Sequence, residues 1–273
     1  MEANKIKGEA KSLLLDNGVE LTYCERGAEH SEVVLCGAFY FHTFMPVIEA
    51  LAERYHVYGI VMRFDGKTDQ LNADGTTNWA RQWGSDVLDF AEKMELKEFH
   101  YVGKCHGTVP GWYILKNRPG MLKSFASFFL APHVKEQNSH RWFELLAGND
   151  ATAMMRVAMR KPEGVKAKME EMAVIGNNVT NPAVPEYAAS PERIWDSKEE
   201  CASALQEVSV PVGYLFGSED PLFDDYYDSN LFAIRNTKGA HTVILAGERH
   251  LMELDCPEKV AAEVFAFIDG IEK

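Results

Sequence analysis

Three residues carry the chemistry this chain can offer, and each follows a stretch that reads as a strand. Cys105 lies in Gly103-Lys-Cys-His-Gly107, after Phe99 to Val102 and before the apolar run Val109 to Leu115. Asp220 lies in Gly217-Ser-Glu-Asp-Pro221, after Val210 to Phe216, and His250 ends Gly247-Glu-Arg-His, after His241 to Ala246. A thiolate is a nucleophile, an imidazole moves protons near neutral pH, and a carboxylate can orient that imidazole and stabilise its charged form. The bland alternative for Cys105 is a small buried thiol at a strand–helix junction. The elements around the three residues decide between these readings.

Around Cys105 the sequence predicts strand, sharp turn and helix. A residue at the apex of such a turn is held in strained backbone, its side chain raised above the sheet edge and a helix N-terminus beneath it. Gly103 and Gly107 are small because the flanking backbone passes close to the apex. Upstream, Ser12 to Leu15 and Val19 to Cys24 alternate about Asp16-Asn17-Gly18, a hairpin signal. Glu32 to Cys36 is a buried strand, broken from Gly37 onward, and Phe44, Val47, Ile48 and Leu51 recur at helical spacing. His56 to Met62 is the next strand, and after a polar loop Trp79, Trp83, Val87 and Phe90 mark a helix face. Leu122 to Ala131 is a further strand. The order β-α-β-α-β-turn-α-β implies a mostly parallel sheet covered on both faces, and in such a sheet functional groups gather where strands end.

From 133 to 206 no strand is legible. This stretch is helical, charged and Met-rich, and an inserted helical cap is its simplest account, with residues 1–132 and 207–273 forming the core. The strands then resume, and a closing helix over about Pro257 to Ile268 buries Val260, Val264, Phe267 and Ile268.

At 273 residues the chain suits one sizeable domain with an insertion. With 41 acidic against 28 basic residues the net charge is −13, a field that repels phosphate backbones and anionic membranes. Nucleic acid and membrane are therefore not expected as partners; a small-molecule substrate is, with self-association left open. The five cysteines are scattered and never spaced C-x-x-C, which argues against disulfides or zinc and for a reducing, cytoplasmic setting. No run reaches the roughly 18 apolar residues of a membrane span. No cofactor is expected.

The G-x-C-x-G turn, the G-x-x-D-P motif at Asp220 and the G-x-x-H motif at His250, in that chain order, resemble the α/β-hydrolase superfamily over nearly the whole chain. The insertion falls where capped members carry theirs. The resemblance implies the α/β-hydrolase fold, with Cys105 as nucleophile, His250 as general base and then acid, and Asp220 as its partner. It also implies an oxyanion hole built from the backbone N–H of His106 and a second N–H at Ala38, with Phe39 next. Many relatives have His-Gly where this chain has Cys36-Gly37. The larger departure is Cys for Ser at the apex, a feature in which the chain is similar to dienelactone hydrolases and polyester synthases.

Phe39, Tyr40 and Trp142 are candidates to line an aromatic substrate pocket, with core packing the alternative for each. The expected activity is hydrolysis of an ester, lactone, thioester or activated carbon–carbon bond of a small apolar molecule through an acyl-thioester. The alternatives are acyl transfer from the same thioester, a cofactor-free lyase or oxygenase using only the His–Asp pair, and a small-molecule-binding protein that keeps Cys105 for packing.

Overall fold

The computed structural model describes residues 10–38, 41–63, 70, 71, 75, 77–129, 132, 194–220 and 227–271. β1 (Lys11–Leu14) and β2 (Glu20–Arg26) form the expected antiparallel hairpin, with Gly18 at φ 78° in its turn. β3 (Val33–Ala38) runs two residues past its expected end. Gly37 and Ala38 do not break it because they pair on both sides, with Ile60 and Val61 of β4 (His56–Val61) and with Gly103 and Lys104 of β5 (Phe99–Lys104). Between β3 and β4, α1 (Phe41–Leu51) buries Phe44, Val47, Ile48 and Leu51 completely, the spacing that the sequence pattern requires. Burying each such side chain contributes about 1.5–3 kcal/mol.

α2 (Trp79–Lys93) is capped by the Asn78 side chain, which accepts from the Arg81 N–H, and it buries Trp79, Trp83, Val87 and Phe90. β5 passes through a single 3₁₀ turn, Cys105–Thr108, into α3 (Val109–Asn117), which packs beside α2. β6 (Leu122–Phe128) ends three residues earlier than the sequence suggests, because Phe129 turns out of the strand at φ 71°. Beyond the insertion come α4 (Lys198–Glu207), β7 (Val212–Gly217), α5 (Tyr227–Asn236), β8 (His241–Leu245), α6 (Met252–Asp255) and α7 (Pro257–Ile271), the last packed beside α1.

The eight strands lie in the order β1-β2-β4-β3-β5-β6-β7-β8, and every pairing from β4 to β8 is parallel. With helices packed on it, this is the expected α/β-hydrolase architecture. α4, which the sequence reading assigns almost entirely to the cap, packs on the core: Cys201 and Leu205 are fully buried there, and the Lys238 N–H donates to the Leu205 carbonyl at 3.1 Å. Residues 133–193, the remainder of the expected cap, lie outside the described residues. Among the described residues, no helix is long and apolar enough to cross a membrane.

Candidate active site

The elbow is built by close backbone packing. A Cβ on Gly103 would sit 2.6 Å from the Gly107 carbonyl oxygen, and one on Gly107 would sit 2.1 Å from that of Gly37. Neither distance is compatible with a side chain, so the G-x-C-x-G glycines are there because the turn is pressed against the end of β3. The Tyr101 hydroxyl fastens it further by donating to the Gly107 carbonyl at 2.8 Å. At the apex Cys105 has φ 51°, left-handed backbone that a non-glycine residue adopts only when its surroundings enforce it.

The turns after β7 and β8 bring Asp220 and His250 to the same sheet edge. Both are buried, and His250 Nδ1 lies 3.0 Å from Asp220 Oδ2. The Cys105 thiol lies 3.3 Å from Nδ1 of His106, and His250 acts on it as well. Three residues far apart in sequence thus meet as a connected chain, carboxylate to imidazole to thiol, with a second imidazole on the sulfur.

Charge follows from this contact set. Burial pushes the Cys105 thiol up, but the charge and hydrogen bond of His106, followed by those of His250, reverse the effect and hold the thiol well below its ordinary value. Burial opposes the His250 imidazolium, and Lys104 opposes it too. The Asp220 charge and the hydrogen bonds to Asp220 and Cys105 outweigh both, raising His250 to about 9. At neutral pH the arrangement favours a thiolate beside an imidazolium.

Ala38, the last residue of β3, pairs with Lys104 and is buried against the elbow, its Cα 2.6 Å from where a Gly107 Cβ would stand. Phe39, Tyr40 and Trp142 lie outside the described residues.

Several neighbours escape a reading of the sequence. Lys104 and Glu253 form a buried ion pair, and the Thr43 hydroxyl donates to the same Glu253 oxygen at 2.9 Å. One carboxylate therefore ties together the strand before Cys105, the helix after Ala38 and the helix after His250. A lysine at the end of a strand buried on both faces is the signal that could have found it, since such a charge requires a partner. Phe129 stacks its ring 4.7 Å from that of His250 and 6.0 Å from the Lys104 ammonium. Its strained φ has no sequence signal at all.

No family model matches the chain. Over 266 residues it is 21% identical to (E)-2-((N-methylformamido)methylene)succinate hydrolase of Acinetobacter baylyi, covering 95% of this chain and 98% of that one. Among solved structures it is similar to a serine hydrolase of the polyaromatic-hydrocarbon-degrading bacterium Cycloclasticus zankles, at TM-score 0.75 and 14% identity, covering 96% of this chain and 98% of that one. It is also similar to 2-hydroxy-6-oxo-6-phenylhexa-2,4-dienoate hydrolase of a Rhodococcus species, at TM-score 0.71 and 15% identity, covering 96% and 99%. Likenesses at these identities speak to fold, and they extend along almost the whole of both chains. Sheet order, elbow turn and these superpositions together show that the chain has the α/β-hydrolase fold.

Proposed function

We propose that the protein is a hydrolase that opens an ester, lactone, thioester or activated carbon–carbon bond of a small, largely apolar molecule through a Cys105-His250-Asp220 triad. The observation that carries this reading is the geometry at the sheet edge: Asp220 at 3.0 Å from a buried His250, beside a thiol held at φ 51° on the elbow. Support comes from the hydrolase names of the relatives, which include a dienoate and a substituted succinate as substrates.

In this mechanism the Cys105 thiolate attacks the acyl carbon and forms the S–C bond. The resulting oxyanion accepts hydrogen bonds from the backbone N–H groups of His106 and Ala38, donors whose effect is largest once charge develops on that oxygen. Collapse breaks the bond to the leaving group, which takes its proton from the His250 imidazolium. Neutral His250 then removes a proton from water, the hydroxide attacks the thioester, and the C–S bond breaks to restore the thiolate. Asp220 fixes the imidazole tautomer and stabilises its charged form throughout. The phenyl ring of Phe129 against His250 supplies an apolar wall. The steps as written consume only water and need no cofactor.

Intact-protein mass spectrometry of rapidly quenched reactions with activated esters and enol-lactones tests the reading. An adduct of acyl mass on the Cys105 peptide is expected. Steady turnover of such a substrate by Cys105→Ala, with no adduct on the parent protein, overturns it.

A further inference from the structure

The side chain of His106 has no assigned duty in a triad of this kind; only its backbone N–H is accounted for. We propose that His106 is a second catalytic imidazole, which holds the Cys105 thiolate and leaves the His250–Asp220 pair to protonate the leaving group and activate water. This rests on the reading of Cys105 as nucleophile given above.

The geometry is direct. His106 follows Cys105 in the 3₁₀ turn, and its Nδ1 lies 3.3 Å from Sγ. Both residues are buried, so water competes little for either group. The turn cannot relax to separate them, because Gly107 is pressed against Gly37 and latched by the Tyr101 hydroxyl.

Among the described residues, the groups facing the thiol from each packed element are these. His106 reaches it from the turn and His250 from beyond β8, with Asp220 behind His250. Lys104 stands at the end of β5 with its charge paired to Glu253 of α6, and Phe129 contributes an uncharged ring. Of the two imidazoles, His106 exerts the larger lowering effect on the thiol.

The proton balance differs from that of a one-imidazole triad. In acylation the S–C bond forms, the leaving-group bond breaks, and the departing atom takes its proton from His250. In hydrolysis water gives its proton to His250, the C–S bond breaks, and the released thiolate returns to the hydrogen bond donated by His106 Nδ1–H. His106 keeps its proton throughout, so the nucleophile survives removal of the base.

The test is the pH titration of Cys105 in the full chain, read by ultraviolet thiolate absorbance and by the pH dependence of iodoacetamide labelling. The proteins compared are the parent, His106→Leu, His106→Asn and His250→Asn, with Cys105→Ser as baseline. Burial pushes Cys24 and Cys256 up to about 11 and Cys201 up to about 12, and holds Cys36 well above its ordinary value, so none of them titrates in the same range.

His106→Leu is expected to raise the midpoint by about one pH unit or more, a tenfold loss of thiolate on the acid side. His106→Asn, which keeps a donor near the Nδ1 position but no charge, should fall between Leu and parent. His250→Asn should move the midpoint less than His106→Leu. An unmoved midpoint in the His106 variants, with His250→Asn alone returning the thiol to its ordinary value, overturns the proposal. Should His106→Leu fail to fold, His106→Asn carries the same decision. No substrate enters the titration, so a missing acyl adduct and a missing shift are separate failures.

Discussion

Cys36 lies on β3 and Cys105 just past the end of β5, its parallel-paired neighbour; both are shielded from solvent, and their thiols behave in opposite ways. Cys36 lies within β3, opposite Gly59 and Val102, with strands on either side; burial drives its thiol well above the ordinary value. Cys105 lies one residue beyond the end of β5, and its thiol is driven well below. Burial has the same sign at both places, since removing a thiolate from water is unfavourable wherever it occurs. What differs is that the strand end admits partners from other loops. There the chain can set two imidazoles against the sulfur, while inside the strand every direction is taken by backbone pairing and core. Reactivity in this sheet is a property of its edge.

The largest contrast to expect is in turnover. Cys105→Ala should lower kcat/KM by about 10⁴-fold or more, because the residues of such a site act as one unit. Cys36→Ala should turn over at close to the parental rate. A comparable loss in both variants, with folding intact, would break the distinction. Next in size is chemical selectivity: at neutral pH iodoacetamide should label Cys105 at least about 10² times faster than Cys36, Cys24, Cys201 or Cys256, whose thiolate fractions are small. Peptide mapping after timed quenching measures this, and the buried Cys24, Cys36 and Cys201 should react only once the protein is unfolded. The smallest effect is on stability. Cys36→Ser buries a hydroxyl within a strand and should cost about 1–3 kcal/mol, read from the urea midpoint. Cys105→Ser offers its hydroxyl to waiting imidazoles and should cost less than about 1 kcal/mol.

That Cys105, Asp220 and His250 lie at strand ends on one sheet edge is legible in the sequence, because each falls two or three residues beyond a glycine that punctuates its strand. The two elbow glycines also reveal their reason in advance, as the contacts of Gly103 and Gly107 bear out. Other features depend on encounters that no local pattern records. The Lys104–Glu253 pair joins residues 149 positions apart, and Thr43 reaches the same carboxylate from a third element. The direction of the His106 ring is set by the turn's backbone, and a histidine in that position reads equally well as pointing into the fold. β3 outruns its expected end because glycine is a poor strand former alone but continues readily when paired on both sides, as Gly37 is. β6 stops early at Phe129, a bulky residue in left-handed backbone, which only the packing of its ring on His250 and Phe216 makes intelligible.

β6 and β7 are neighbours in the sheet, paired from Phe125 with Val212 to Phe128 with Leu215, although the chain between them is longer than between any other two described strands consecutive in sequence. Its return is secured before α4 begins: Trp195 packs 6.4 Å from Trp112, and Lys116 donates to the Ile194 carbonyl at 2.8 Å. The pairing of β6 with β7 and the anchoring of α4 are thus complete within the core itself, and closing a longer loop costs only slowly more, so the length of chain between these two strands can drift over generations while the sheet edge keeps its shape.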